Sequence, residues 1–232
     1  MKVKFKILFF CVLSGLCFSD AVYARSCSRL IDLVNVTSGK KVKKVLTEHD
    51  MNRAGVIEFV KGIAVNLMHK QANSNMIIAQ TVYLSGKSAA EVLEYFRTFP
   101  ETGLNRHDAA HNILVQTALL TRKPSLEILE LFGKVPVSVR GNMNDLARAF
   151  MLQNSLFANV SVERVVEFLL SAPRIPYDKR SLSSHLILQT AFLTERSVSD
   201  VLKDFRSFPY VSTGTQTGGL EILKQTALYA ER

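Results

Sequence analysis

The chain has 232 residues, 47% of them hydrophobic and 21% charged, with only 11 Gly and 6 Pro. That composition excludes a disordered or low-complexity polymer and leaves ample apolar surface for a core. Twenty-nine Lys and Arg against 20 Asp and Glu give a formal charge of +9, and three cysteines exclude a disulfide framework or a Cys-rich zinc module.

Met1 to Ala24 reads as an export signal. Lys2, Lys4 and Lys6 precede an apolar run from Ile7 to Phe18. That run is shorter than the ~20 apolar residues a spanning helix needs. Val22-Tyr23-Ala24 then offers a cleavage site before Arg25. The expectation is a periplasmic or extracellular protein. Cleavage leaves 26 basic and 19 acidic residues, a charge of +7, and Cys27 as the single cysteine. No internal disulfide then supports the fold. Residues 25–39 read as a flexible lead, and Lys40-Lys41-Val42-Lys43-Lys44 as a solvated helix start.

From residue 40 onward one pattern dominates. Gln80, Gln116, Gln153, Gln189 and Gln225 are spaced 36, 37, 36 and 36 residues apart. Thr81, Thr117, Thr190 and Thr226 follow four of them, and Asn154 follows the fifth. Pro100, Pro136, Pro173 and Pro209 each stand 20 residues after a Gln. Between these landmarks the text recurs, as in QTALLTRKPSLEILELFGKVP and QTAFLTERSVSDVLKDFRSFP. Such a period is the signature of a tandem repeat.

Each unit reads as a helical hairpin. The first helix carries apolar residues on both sides of the Gln, and capping types such as Asp108, Ser181 and Thr217 stand eight residues before it. The second helix starts after Ser88, Ser161 or Ser197, or at Pro124-Ser125, with capping-box partners at Glu91 and Asp200. Its apolar side repeats as Val92/Leu93/Phe96, Ile128/Leu129/Phe132, Val165/Val166/Leu169 and Val201/Leu202/Phe205. The Pro then ends it, because its ring has no N–H for the helical ladder. Val56-Ile57-Glu58-Phe59-Val60 stands 36 residues before Val92-Leu93-Glu94-Tyr95-Phe96, so a degenerate hairpin over 40–72 precedes the full units. Those units begin near 73, 108, 145 and 181. Residues 217–232 read as a terminal capping helix, with Lys224 as the polar substitution of an exposed face.

The expected fold is therefore all-α: one domain over 40–232, a right-handed-type α-solenoid of stacked hairpins. Its period and hairpin are similar to those of tetratricopeptide and HEAT repeats. It has neither the Trp-Leu-Gly-Tyr pattern of tetratricopeptide units nor the Gly/Ala-rich pattern of Sel1-like ones, so the likeness stops at architecture.

Three sets of residues are candidates for function. The Gln column suits a structural job repeated in each unit, with a ladder gripping an extended peptide as the alternative. The column five residues before each Gln varies, as Asn75, His111, Arg148, Ser184 and Leu220, and the next as Met76, Asn112, Ala149, His185 and Glu221. These are candidates for a concave recognition face. Basic residues recur in the turns, with Lys87, Lys123 and Arg196 seven residues after their Gln and Arg122 beside Lys123. Arg97 and Arg206 share a second column at the end of the second helix. Aligned charges of this kind can steer an acidic partner.

No nucleophile, phosphate-loop or dinucleotide motif occurs, and His107 and His111 lack the glutamate of a zinc-protease helix. No catalytic residue, metal site or cofactor is assigned. The function expected is an exported, non-enzymatic helical-repeat scaffold that binds a protein or peptide. The alternative is a binder of an anionic polymer or membrane surface through the basic turns. Export makes nucleic acid a poor partner.

Overall fold

The computed structural model describes residues 53–66, 72–106, 108–136, 144–178, 180–208 and 217–230. Among them are ten helices and no strand: α1 Arg53–Asn66, α2 Ala72–Ser85, α3 Ala89–Thr98, α4 Ala109–Thr121, α5 Ser125–Lys134, α6 Asp145–Ala158, α7 Val162–Ser171, α8 Leu182–Thr194, α9 Val198–Ser207 and α10 Thr217–Ala230. The expected export signal, lead and basic run lie outside the described residues.

Local chemistry sets the element ends. Ser88 accepts the Glu91 amide at 3.2 Å while the Glu91 carboxylate accepts the Ser88 amide at 2.9 Å, a full capping box for α3. At α9 the Ser197 hydroxyl accepts the Asp200 amide at 3.0 Å, but the shorter Asp200 side chain takes the Ser197 hydroxyl instead of its backbone. Asp108 stands at the cap position of α4 without a side-chain cap bond. Asn144 caps α6, accepting the Ala147 amide at 3.0 Å. The second helices end where Pro demands it. Phe99, Val135 and Ala172, each just before a Pro, are extended with ψ of 135°, 129° and 138°. Within each hairpin the chain reverses through a left-handed residue, Gly86, Arg122, Asn159 or Glu195.

The helices form two layers. Helices α2, α4, α6, α8 and α10 lie inside, each packed on the next, and α10 packs back on α2. The stack therefore closes on itself as a ring of five inner helices. Helices α3, α5, α7 and α9 lie outside, each against its own hairpin partner, and α1 packs on α10 and α2. Outer helices bury one stripe, such as Val92 and Phe96 or Val201 and Phe205. Inner helices are buried all round: every residue from Ala110 to Leu120 is inside.

Closure corrects one expectation. Helix α10 is not an exposed terminal cap, because α1, α2 and α8 all cover it. Lys224 is only 8% exposed, with its ammonium 5.9 Å from the centre of the Phe205 ring. Gly218 permits the closure: a Cβ there would meet Leu182 Cδ2 at 2.8 Å and Asn73 Oδ1 at 2.9 Å.

Candidate functional site

The five glutamines meet inside the ring as a closed cycle of amides. Gln116 Nε2 donates to Gln80 Oε1 at 3.0 Å, Gln153 to Gln116 at 3.0 Å, Gln189 to Gln153 at 2.7 Å and Gln225 to Gln189 at 2.9 Å. Gln80 Nε2 donates to Gln225 Oε1 at 2.9 Å and completes the circle. All five donate in the same direction. Four have a second acceptor, the hydroxyl of Thr81, Thr117, Thr190 or Thr226, at 3.0–3.1 Å. Each of those hydroxyls gives its own proton to the carbonyl four residues back. The exception is Gln189, which faces Asn154 in place of Thr, and there Asn154 Oδ1 is buried without a partner. The Gln column is buried and links the five inner helices, which supports its structural reading.

The first variable column is largely inside as well: Asn75, His111 and Ser184 are buried and Arg148 and Leu220 half-buried, which corrects the reading of its buried members as a concave recognition face. Asn75 and His111 are 9% and 2% exposed. His111 packs edge-on against Phe99, with ring centres 5.9 Å apart, and its Nδ1 lies 3.0 Å from Thr102 Oγ1. Arg148 donates to Phe132 O at 3.0 Å and Val135 O at 3.3 Å, lies over the Phe132 ring at 4.4 Å and pairs with Asp145 at 3.0 Å. It therefore caps the carbonyl end of α5. His111 and Arg148 thus both point at the end of the preceding outer helix and the loop that leaves it.

The next column is also internal, and two of its members carry perturbed ionisation. His185 stacks on Phe150 with ring centres 5.4 Å apart, and its Nε2 has no partner. Burial pushes its pKa down to about 4, so the ring is neutral. Glu221 is 4% exposed, and burial raises its pKa against the opposing pull of Lys224. Lys224 Nζ lies 3.2 Å from Glu221 Oε2 but donates at 3.4 Å to Oε1. Nearby, the Tyr177 hydroxyl is pushed up first by burial and then by the Glu221 charge. Among the described residues no group of three or more His, Cys, Asp or Glu is arranged to hold a metal. His107 lies outside them.

The basic turn residues are at the surface, but they are engaged. Lys87 lies 3.8 Å from Glu91, Lys123 pairs with Glu127, Arg196 with Asp204, and Arg97 lies 3.9 Å from Glu94. Arg122 and Arg206 are exposed. The described residues hold 16 Lys and Arg against 15 Asp and Glu, so nearly all of the chain's positive excess lies elsewhere in the sequence. Pairing at exposed sites is weak, yet it cancels the field at longer range.

One surface feature departs from the recurrence of basic residues in the turns. In the third hairpin Val160 occupies the place of Lys87, Lys123 and Arg196, and Arg164 the place of Glu91 and Glu127. A cleft of about 780 Å³ opens there between α7 and the turn from α8 to α9. Its walls include Val160, Arg164, Glu167, Phe168, Phe192 and Glu195. Phe168 and Phe192 lie with ring centres 5.1 Å apart, and Arg164 pairs with Glu167 at 3.1 Å. Between α3 and α5 the corresponding space is bridged, with Tyr95 OH and Ser125 Oγ 3.3 Å apart. Sequence reasoning missed this site, although the gap in the basic column at Val160 was its signal. Compared with protein-family models, curated proteins and solved structures, the chain matches none.

Proposed function

We propose that the chain is an exported, non-enzymatic scaffold of ~36-residue helical repeats, closed into a ring, that holds a segment of a partner protein at the cleft between α7 and α9. The observation that carries this reading is the aromatic pair Phe168 and Phe192 in an open cleft with charges of both signs in its walls. An apolar anchor with a polar rim is the usual anatomy of a protein contact. The volume falls within the ~300–1,000 Å³ typical of ligand sites. The pattern over Met1–Ala24 supports export, and no described helix is long and apolar enough to cross a membrane.

The alternative, an anionic polymer or membrane held by the basic turns, draws no support from the described residues. Lys87, Lys123 and Arg196 each pair with a carboxylate of the outer helix that follows their turn.

A photo-crosslinking residue at Ser197, in the cleft, tests the proposal against the same residue at exposed Thr98. In cell-envelope preparations Ser197 should yield a defined protein adduct, and Phe168→Ala with Phe192→Ala should abolish it. Equal or absent labelling at the two positions would remove the cleft from consideration.

A further inference from the structure

We infer that α1 is the outer helix of a fifth hairpin whose inner helix is α10, although α1 precedes α2 in the chain. The seam between α10 and α2 is then a built acceptor site for one amphipathic helix, and α1 is its occupant. The register places α1 in the outer series. Arg53 stands 36 residues before Ala89, the first residue of α3, and Val56, Ile57 and Val60 match Val92, Leu93 and Phe96. Val56 and Val60 are fully buried, as Val92 is.

Side-chain geometry makes the same assignment. Phe59 of α1 meets Tyr83 of α2 with ring centres 5.8 Å apart. Phe168 of α7 meets Phe192 of α8 in the same way, at 5.1 Å. By the register of the Gln column, Phe59 and Phe168 are equivalent, and so are Tyr83 and Phe192. The two aromatic pairs therefore hold equivalent register positions, and α1 packs on α2 more extensively than the third outer helix packs on the fourth inner one. The contact of α1 with α10 corresponds to the contact each outer helix makes with its own inner partner.

One departure has a sequence cause. Ala64 stands where Pro100 would fall 36 residues earlier, so nothing stops α1 after ten residues and it runs to Asn66. The ring is thus clasped by a helix donated from before the first inner helix, without any covalent link between α10 and α1.

Two experiments test the clasp. In a circular permutant α1 is moved behind α10, its Arg53 joined to Ala230 by three residues, the length of the turns at 86–88, 122–124, 159–161 and 195–197. The inference expects the permutant to fold with the parent's far-UV spectrum and slow amide exchange in α2 and α10. In the full-length chain, Val56→Asp with Val60→Asp should speed exchange in α2 and α10 by roughly two orders of magnitude, with less effect in α5 and α6. A synthetic peptide of residues 53–66 should restore protection saturably, and the same peptide with both Asp substitutions should not. A permutant that stays unfolded with either a three- or an eight-residue junction, or a failure of the native peptide to restore protection, would overturn the inference.

Discussion

Helix α4 and its hairpin partner α5 are three residues apart in sequence and buried in opposite ways. From Ala110 to Leu120 every side chain of α4 is inside, including His111, Asn112, Gln116 and Thr117, whereas α5 fully buries only Ile128 and Phe132. An outer helix needs a stripe, and its polar side is satisfied by water. An inner helix such as α4 has no side facing water, so its polar groups must find partners within the protein. The amide cycle is that solution, and it is complete only because α10 returns to α2. Without closure the Gln80 amide group would lose both its acceptors and the Gln225 carbonyl its donor.

The largest way to break this contrast is Gln116→Ala. It strands the Gln80 carbonyl oxygen and a Gln153 donor and leaves a cavity. Each buried group left unpaired costs about 1–3 kcal/mol, so a loss of roughly 3–5 kcal/mol is expected in denaturant unfolding. Leu126→Ala, on the 70% exposed surface of α5, should change stability by less than about 0.5 kcal/mol.

Acid should act on the inner layer next. His185 has a folded pKa of about 4, below its unfolded value of 6.5. Its contribution is therefore complete above pH 6.5 and is lost as pH falls toward 4, a change of about 3 kcal/mol. His185→Met should flatten that part of the stability–pH curve. Glu221, with its pKa raised, acts in the opposite sense, withdrawing stability as pH rises from 4.5 through its folded value.

Glycines separate the layers by a smaller margin. Gly218→Ala brings a methyl against the side-chain ends of Leu182 and Asn73 at the closure, which offsets its helix-propensity gain and should leave a net cost of up to about 1 kcal/mol. Gly133→Ala, on outer helix α5 with nothing within 4 Å, should gain up to about 1 kcal/mol from helix propensity. Asn154→Thr sharpens the comparison from the other side. It supplies the hydroxyl that the other four positions have, and should stabilise by about 1 kcal/mol in thermal unfolding.

The outer layer was legible because a one-sided helix writes its period into the sequence, down to the Ser88 cap and the extended residues before Pro100, Pro136 and Pro173. The inner layer was legible only as a recurrence of Gln and Thr. A residue buried on all sides does not announce whether its neighbour is the next unit or the first one, so Lys224 read as an exposed cap and His111 as a recognition residue. The cleft escaped for a related reason. It arises from an absence, the missing turn cation at Val160, whereas the recurring signal in the sequence is the cations present at Lys87, Lys123 and Arg196.

Closure has a direct measurement. Spin labels on the exposed outer positions Arg97, Leu170 and Arg206, in a chain whose three cysteines are replaced by Ser, report distances between the first, third and fourth hairpins. In a ring of five the first and fourth hairpins are two steps apart, as the first and third are. The Arg97–Arg206 separation should therefore match Arg97–Leu170, with Leu170–Arg206 shorter than both. A stack that does not close puts Arg206 a further step away, and an Arg97–Arg206 distance clearly longer than Arg97–Leu170 would contradict the ring.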